Sequence, residues 1–301
     1  MNEVVSISDG PIEVRLLPRI GGSISTFRST RGVEWLRPID ERSVNDPRQT
    51  ACFPMVPFCN RIQDGKFRIN GQAVSIAPNV ADEAYPIHGS AWLSGWDVIE
   101  RSADSVCLQY NHRAGEWPWS FSCEQRFSLR DGSLNWDFTL TNQTSTAMPS
   151  GFGLHPYFSN PEDAVLKADV ATAHVFNRQL MPVDREPNDP AIVSLARGRQ
   201  LPRGMNVTFE GWSRSAEILW PRLNRGLRIS ADRNFGHLHT FTPTDADFFC
   251  VEPVSHCVNA VNLDPDWGDT GLQLLEPLAS LKAKIVLEPL QGASIGNNHR
   301  S

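Results

Sequence analysis

A period of two dominates this chain. Ile12, Val14 and Leu16 alternate with Glu13 and Arg15, and Val106, Leu108 and Tyr110 alternate with Cys107 and Gln109. Side chains of a strand point to opposite faces in turn, so the alternation predicts half-buried strands. The clearest element is a hairpin. Phe121, Cys123, Gln125, Phe127 and Leu129 fall on one face, and Asp131-Gly132 supplies a two-residue turn. Leu134, Trp136, Phe138 and Leu140 then return, with Asn135, Asp137 and Thr139 on the other face. Asp-Gly suits that turn because both central residues need positive φ. Residues 227–231 and 281–287 read the same way.

Many such strands, punctuated by 22 prolines and 21 glycines, predict an all-β fold, an antiparallel β-sandwich with few short helices. Residues 161–168 could open a helix on Pro161 but are assigned as a strand. Residues 182–202 are polar, carry Arg185, Arg197 and Arg199, and read as a loop. The alternation resumes after them in the same style. All 301 residues are therefore taken as one domain, since all-β domains of about 200–250 residues or more are common.

Composition narrows the function. A net charge of −6 leaves no electrostatic footprint for nucleic acid. No run of 18 apolar residues predicts a membrane helix. Met1-Asn2-Glu3-Val4-Val5 lacks the basic start and long apolar stretch of a signal peptide. Cys52, Cys59, Cys107, Cys123, Cys250 and Cys257 form no C-x-x-C pair. They read as buried, reduced thiols of a cytoplasmic protein, with no zinc spacing. No metal and no cofactor is expected, and the oligomeric state is left open.

Two stretches carry candidate chemistry. His155 stands in Gly151-Phe152-Gly153-Leu154-His155-Pro156-Tyr157-Phe158, and Glu252 in Phe248-Phe249-Cys250-Val251-Glu252-Pro253-Val254. Each is a lone titratable group in an apolar run beside a proline. On a strand, Glu252 shares a face with Cys250 and Val254 and points towards apolar neighbours. Buried groups of this kind have shifted pKa values and cluster at functional sites. A reaction that takes a proton from one oxygen and gives one to another needs such a pair. Sugar anomerisation is that kind of reaction.

These stretches resemble the histidine and glutamate motifs of the aldose 1-epimerases, the galactose mutarotase-like proteins. Asn60-Arg61-Ile62 with Gly65, Phe67 and Asn70-Gly71 is similar to that family's early arginine motif. Ile87-His88-Gly89 is similar to its first histidine motif, and Leu17-Pro18-Arg19-Ile20-Gly21-Gly22 fits its opening. The motifs occur in family order over nearly the whole chain. The resemblance implies a large supersandwich with a sugar in a cleft on one face, and an isomerase of carbohydrate metabolism that interconverts α and β anomers. It implies Glu252 as general base, His155 as general acid and His88 as a donor beside the ring oxygen. It gives Arg61 and Asn60 a place on the sugar hydroxyls. In one place the chain departs from the pattern. The family has an aspartate where Asn206-Val207-Thr208-Phe209-Glu210-Gly211-Trp212 begins, so an amide replaces a carboxylate. Trp212, like Trp220, could stack on a sugar or fill the core.

Two other readings stand beside this one. A non-catalytic carbohydrate-binding protein could keep the cleft, although Glu252 and His155 argue against it. An epimerase for a phosphorylated or sulfonated sugar would use Arg197, Arg199 and Arg203 as anion partners; a solvated loop is the preferred reading of those arginines. His237 and His239 share a strand face and, with His256, could suggest a metal, but no carboxylate motif accompanies them.

Overall fold

A computed structural model describes residues 2–291, which form two large antiparallel sheets and two small ones. The ten-stranded sheet runs, in spatial order, Val5–Asp9, Ile12–Leu17, Ser23–Ser29, Cys52–Met55, Gly153–Ser159, Phe248–Val254, His237–Thr242, Met205–Glu210, Thr172–Phe176 and Pro182–Glu186. The nine-stranded sheet runs Arg199–Gln200, Val165–Ala168, Ser215–Trp220, Arg225–Ala231, Ser280–Gln291, Ser133–Asn142, Phe121–Arg130, Ser105–His112 and Asp97–Arg101. Among the described residues no barrel closes, and the fold is the supersandwich that the alternation and the resemblance predict.

The predicted hairpin is present in register. Arg130 faces Ser133 across the turn, and Asp131 and Gly132 sit at φ of 51° and 74°. Its inward residues, including Phe127 and Trp136, are buried in the core shared by both sheets. Gln125 is polar yet fully buried there. Its amide donates to the Gly22 carbonyl at 2.8 Å and its oxygen accepts from the Trp136 indole at 3.1 Å. Those bonds replace the water that the amide loses.

The central strands of the ten-stranded sheet are buried on both faces. On Phe248–Val254, Phe249 and Val251 enter the core between the sheets. Cys250 and Val254 enter a second cluster with Phe53, Met55, Trp92 and Tyr157 on the opposite face. A strand covered on both faces reads as an unbroken apolar run. For that reason a lone Glu or His stands out in it.

Two local assignments need correction. Within residues 161–168 only Val165–Ala168 is a strand; a turn precedes it. Residues 182–202 are not one loop. They hold the edge strand Pro182–Glu186, the short strand Arg199–Gln200 and, among the described residues, the one α-helix, Pro190–Arg197. Asp189 caps that helix by accepting from the Ala191 amide at 2.6 Å, Pro190 opens it, and Gly198 at φ 88° ends it. Leu195 is its buried anchor. No helix among the described residues is long and apolar enough to cross a membrane.

Candidate active site

The second, outward face of the ten-stranded sheet carries a cavity of about 340 Å³. Glu252, His155, His88, Arg61, Asn60 and Asn206 all line it. Glu252, His155 and Asn206 come from strands of the sheet, whereas Asn60, Arg61 and His88 come from irregular segments after Cys52–Met55, where an isolated bridge joins Arg61 to Ile87.

Glu252 is 2% exposed, and its Oε1 lies 3.5 Å from His155 Nε2. Burial pushes the Glu252 carboxyl well above the usual carboxylate range, with the Arg61 charge opposing. Burial also pulls His155 down to about 3, helped by His239 and Arg37. In both cases desolvation penalises the charged form. Desolvation thus favours the uncharged form of each partner, the carboxylic acid and the neutral imidazole. The His155 ring is stacked on Phe53, with centroids 4.6 Å apart, and leans on Tyr157.

His88 reaches the cavity through an unusual backbone. It adopts φ 61° and Gly89 φ 72°. A Cβ at Gly89 would lie 2.2 Å from the Val56 carbonyl oxygen, so only glycine lets this turn press against the strand end. His88 Nδ1 accepts from the backbone N–H of Asn60 at 3.1 Å. Burial, reinforced by His155 and Arg61, holds the ring neutral. A neutral ring that accepts at Nδ1 carries its proton on Nε2. His88 is thus a fixed donor.

Arg61 is gripped by Glu83, through Nε to Oε2 at 2.9 Å and Nη2 to Oε1 at 2.6 Å. Its Nη1 donates to Asn60 Oδ1 at 3.2 Å. Asn60 therefore braces Arg61 as well as lining the cavity. Asn206 enters from Met205–Glu210, with no side-chain hydrogen bond among the described residues, so its amide is free for a ligand.

Trp212 is corrected. Its ring is 1% exposed, belongs to the core between the sheets and does not line the cavity; its indole donates to the Ser215 carbonyl at 2.9 Å. Gly211, at φ 69°, turns the chain off the cleft face before Trp212. Trp220 is likewise in the core. The aromatic wall of the cavity is Phe53, Trp92, Tyr157, Phe241 and Phe248. Arg197, Arg199 and Arg203 lie outside the cavity, and Arg203 pairs with Glu162 at 2.8 Å.

The histidines weighed as a metal set separate. His239 lines the cavity. His256 Nε2 accepts from the Cys59 amide at 3.0 Å, and its Nδ1 bonds to the Cys257 carbonyl. His237 lies with His174 and Glu210, whose nitrogen and oxygen atoms fall within 4.8 Å of one another. Arg185 already holds both oxygens of that Glu210, through Nε at 2.9 Å and through Nη2, so the group reads as an ion-pair network. His155, Cys250 and Glu252 form a second close trio. Burial keeps the Cys250 thiol far above its usual pKa, so it is protonated and a poor ligand. All six cysteines are buried and free.

A sheet supersandwich with a buried acid–base pair in an outer-face cleft defines a class, and comparison with known proteins places the chain in it. A family model described as aldose 1-epimerase matches residues 3–288. The uncharacterised Escherichia coli (strain K12) protein YphB is 30% identical over 262 residues, covering 84% of this chain and 88% of that one. The crystal structure of a proposed aldose 1-epimerase from Escherichia coli K12 superposes with a TM-score of 0.88 at 28% identity, over 97% of this chain and 100% of its own. A galactose mutarotase-like protein from Clostridium acetobutylicum shares the fold, with a TM-score of 0.88 at 19% identity over 96% of each chain. The chain belongs to the aldose 1-epimerase family.

Proposed function

We propose that this protein is an aldose 1-epimerase that interconverts the α and β anomers of a free sugar by ring opening and closure. One observation carries the reading: Glu252 and His155, both buried, stand 3.5 Å apart in a cavity of small-molecule size. In the carboxylate–imidazolium form, Glu252 takes the proton of the anomeric hydroxyl and His155 gives one to the ring oxygen. The bond between C1 and the ring oxygen breaks, and C1 becomes an aldehyde carbon. The pair is left as carboxylic acid and neutral imidazole. Rotation about C1–C2 presents the other face, and the same two transfers run backwards.

The proton count supports this cycle. Burial favours the acid–imidazole form in the free cleft, and that form holds the same single proton as the working one. No exchange with bulk water is needed, only movement of a proton within the pair. Sugar hydroxyls entering the cavity solvate the two charges that burial penalises. His88 Nε2–H is a donor for the ring oxygen, and Arg61 and Asn206 supply donors for other hydroxyls. Both steps are proton transfers, so the reading calls for no cofactor. Six buried free thiols fit a reducing, cytoplasmic setting. A core shared by both sheets fits a single domain.

The test is a panel of freshly dissolved single anomers, followed by polarimetry or NMR exchange. Faster equilibration of at least one aldose than in buffer alone is expected. If none is accelerated while sugars still bind, the protein is a carbohydrate-binding member of the family.

A further inference from the structure

His256 is buried behind the cavity and does not line it. Its Nε2 lies 3.0 Å from the backbone N–H of Cys59. A backbone N–H only donates, so Nε2 accepts and carries no proton. Burial lowers the ring to about 4, so it is neutral and its one proton sits on Nδ1. Nδ1 then donates to the Cys257 carbonyl at 2.8 Å, which fixes the ring. Both nitrogens are engaged, and no lone pair is left for a metal ion. The ring stands where three segments meet. It follows the Glu252 strand, Phe248–Val254, by two residues. Through Cys59 it holds the chain next to Asn60 and Arg61. A Cβ at Gly151 would lie 2.2 Å from its Cδ2, so only glycine lets the run into the His155 strand pass the ring. Asn259 extends the grip. Its backbone N–H donates to the Arg61 carbonyl at 2.9 Å, and its Oδ1 accepts from the Gln63 N–H at 3.0 Å.

We propose that His256 is a positioning residue of this cleft: its ring sets the place of the Cys59–Arg61 backbone, and so of the Arg61 and His88 donors, relative to Glu252 and His155. This rests on the sugar reading of the cleft. The chain leaves the sheet ladder after Met55, and between Val56 and Gln63 only isolated bridges at Val56 and Arg61 tie it to other strand-like backbone. A buried N–H outside a ladder needs another acceptor, and Cys59 is 1% exposed. The segment that continues the Glu252 strand supplies that acceptor. One residue on, the Asn60 N–H holds His88 Nδ1, so a shift at Cys59 reaches His88 as well as Arg61. His256 touches no sugar and acts through Cys59.

The first readout needs no sugar. NMR of isotope-labelled histidine should show His256 as the Nδ1–H tautomer in the wild type, assigned by the signal missing from His256→Gln. His88, assigned likewise from His88→Gln, should be the Nε2–H tautomer. His256→Leu keeps much of the bulk but removes the acceptor, so Asn60 loosens and His88 should become a mixture of tautomers. The second readout is sugar affinity per folded molecule, by KM where a sugar is turned over and by titration where it only binds. His256→Leu should weaken the sugar about 5–10-fold, the worth of one neutral hydrogen bond in the cleft. His256→Gln, whose amide oxygen reaches the place of Nε2, should restore affinity to within about twofold. A merely structural histidine would lower the melting temperature and the active fraction, yet leave KM and the His88 signal as in the wild type. That result overturns the proposal even if the protein is an epimerase. A wild-type Nε2–H tautomer of His256 overturns it too, whether or not the leucine variant folds. Weaker sugar binding in His256→Leu without any anomerisation supports the proposal and refutes the epimerase reading instead.

Discussion

Glu252→Gln separates catalysis from folding. The amide keeps the shape of the side chain but cannot take a proton from the anomeric hydroxyl. A positioned base contributes about 10²–10⁴-fold, or about 2.7–5.4 kcal/mol of barrier. Stability should move the other way. Glu252 is 2% exposed, and its folded pKa lies well above its unfolded value of 4.5. Such a group contributes fully below the unfolded pKa, and that contribution is lost as pH rises towards the folded one. Glutamine does not titrate, so the variant escapes the loss. It should melt no lower than the wild type at pH 7 and higher at pH 8, while kcat falls by at least about 100-fold. Polarimetry of an anomer that the wild type accelerates gives the rate, and thermal unfolding of the same samples gives the stability. His155→Asn should lower kcat by a comparable factor in the same assay. Near-normal turnover in folded Glu252→Gln would remove Glu252 from its role. A variant that is both inactive and markedly less stable at pH 8 would refute the desolvation reasoning, since it would mean that the ionised carboxylate is held by partners rather than penalised by burial.

Asn206→Asp replaces a free amide in the cavity with a group that only accepts hydrogen bonds. It should reorder the preference among neutral and anionic aldoses without moving the pH dependence set by Glu252 and His155; an unchanged ranking would mean that Asn206 does not contact the sugar. Glu83→Gln loosens the two-point grip on Arg61, and KM should rise about 5–10-fold with little change in kcat. An equal fall in kcat and kcat/KM would instead tie Arg61 to the transition state. Acid should weaken the fold, because His155 and His239 are held at about 3 and His174 and His256 at about 4. Between these values and about 6.5 the unfolded chain binds protons that the folded protein refuses, so stability falls as pH drops through that window. Each such histidine contributes on the order of 1.4 kcal/mol per pH unit, against an opposite contribution from Glu252. Urea midpoints at pH 7 and pH 5 should differ clearly, and equal midpoints would count against the buried neutral histidines.

Which parts of this site could be read from the chain follows from the range of the interactions that build it. The hairpin around Asp131-Gly132 is written locally, because turn chemistry and alternation both lie within about twenty residues. Glu252 and His155 are conspicuous because their strands are buried on both faces, so any titratable group there interrupts an apolar run. The helix Pro190–Arg197 was masked by its polar setting, although Asp189-Pro190 at its start and Gly198 at its end are ordinary signals. Trp212 misled because its place depends on where a strand ends, and the positive φ of Gly211 decides that. Glu83 could not be found, since its meaning lies in Arg61, 22 residues earlier and across a loop. His239 is the most instructive case. In the chain its visible partner is His237, two residues away, and the pair suggests a metal. In the sheet its neighbours are Thr208 and Glu252, supplied by register with two other strands, and the Thr208 hydroxyl lies 2.8 Å from its Nδ1. Composition marks which residues are chemically out of place, whereas cross-strand register decides which of them meet. The chemistry of a cleft on a sheet is therefore set by the pairing of distant strands.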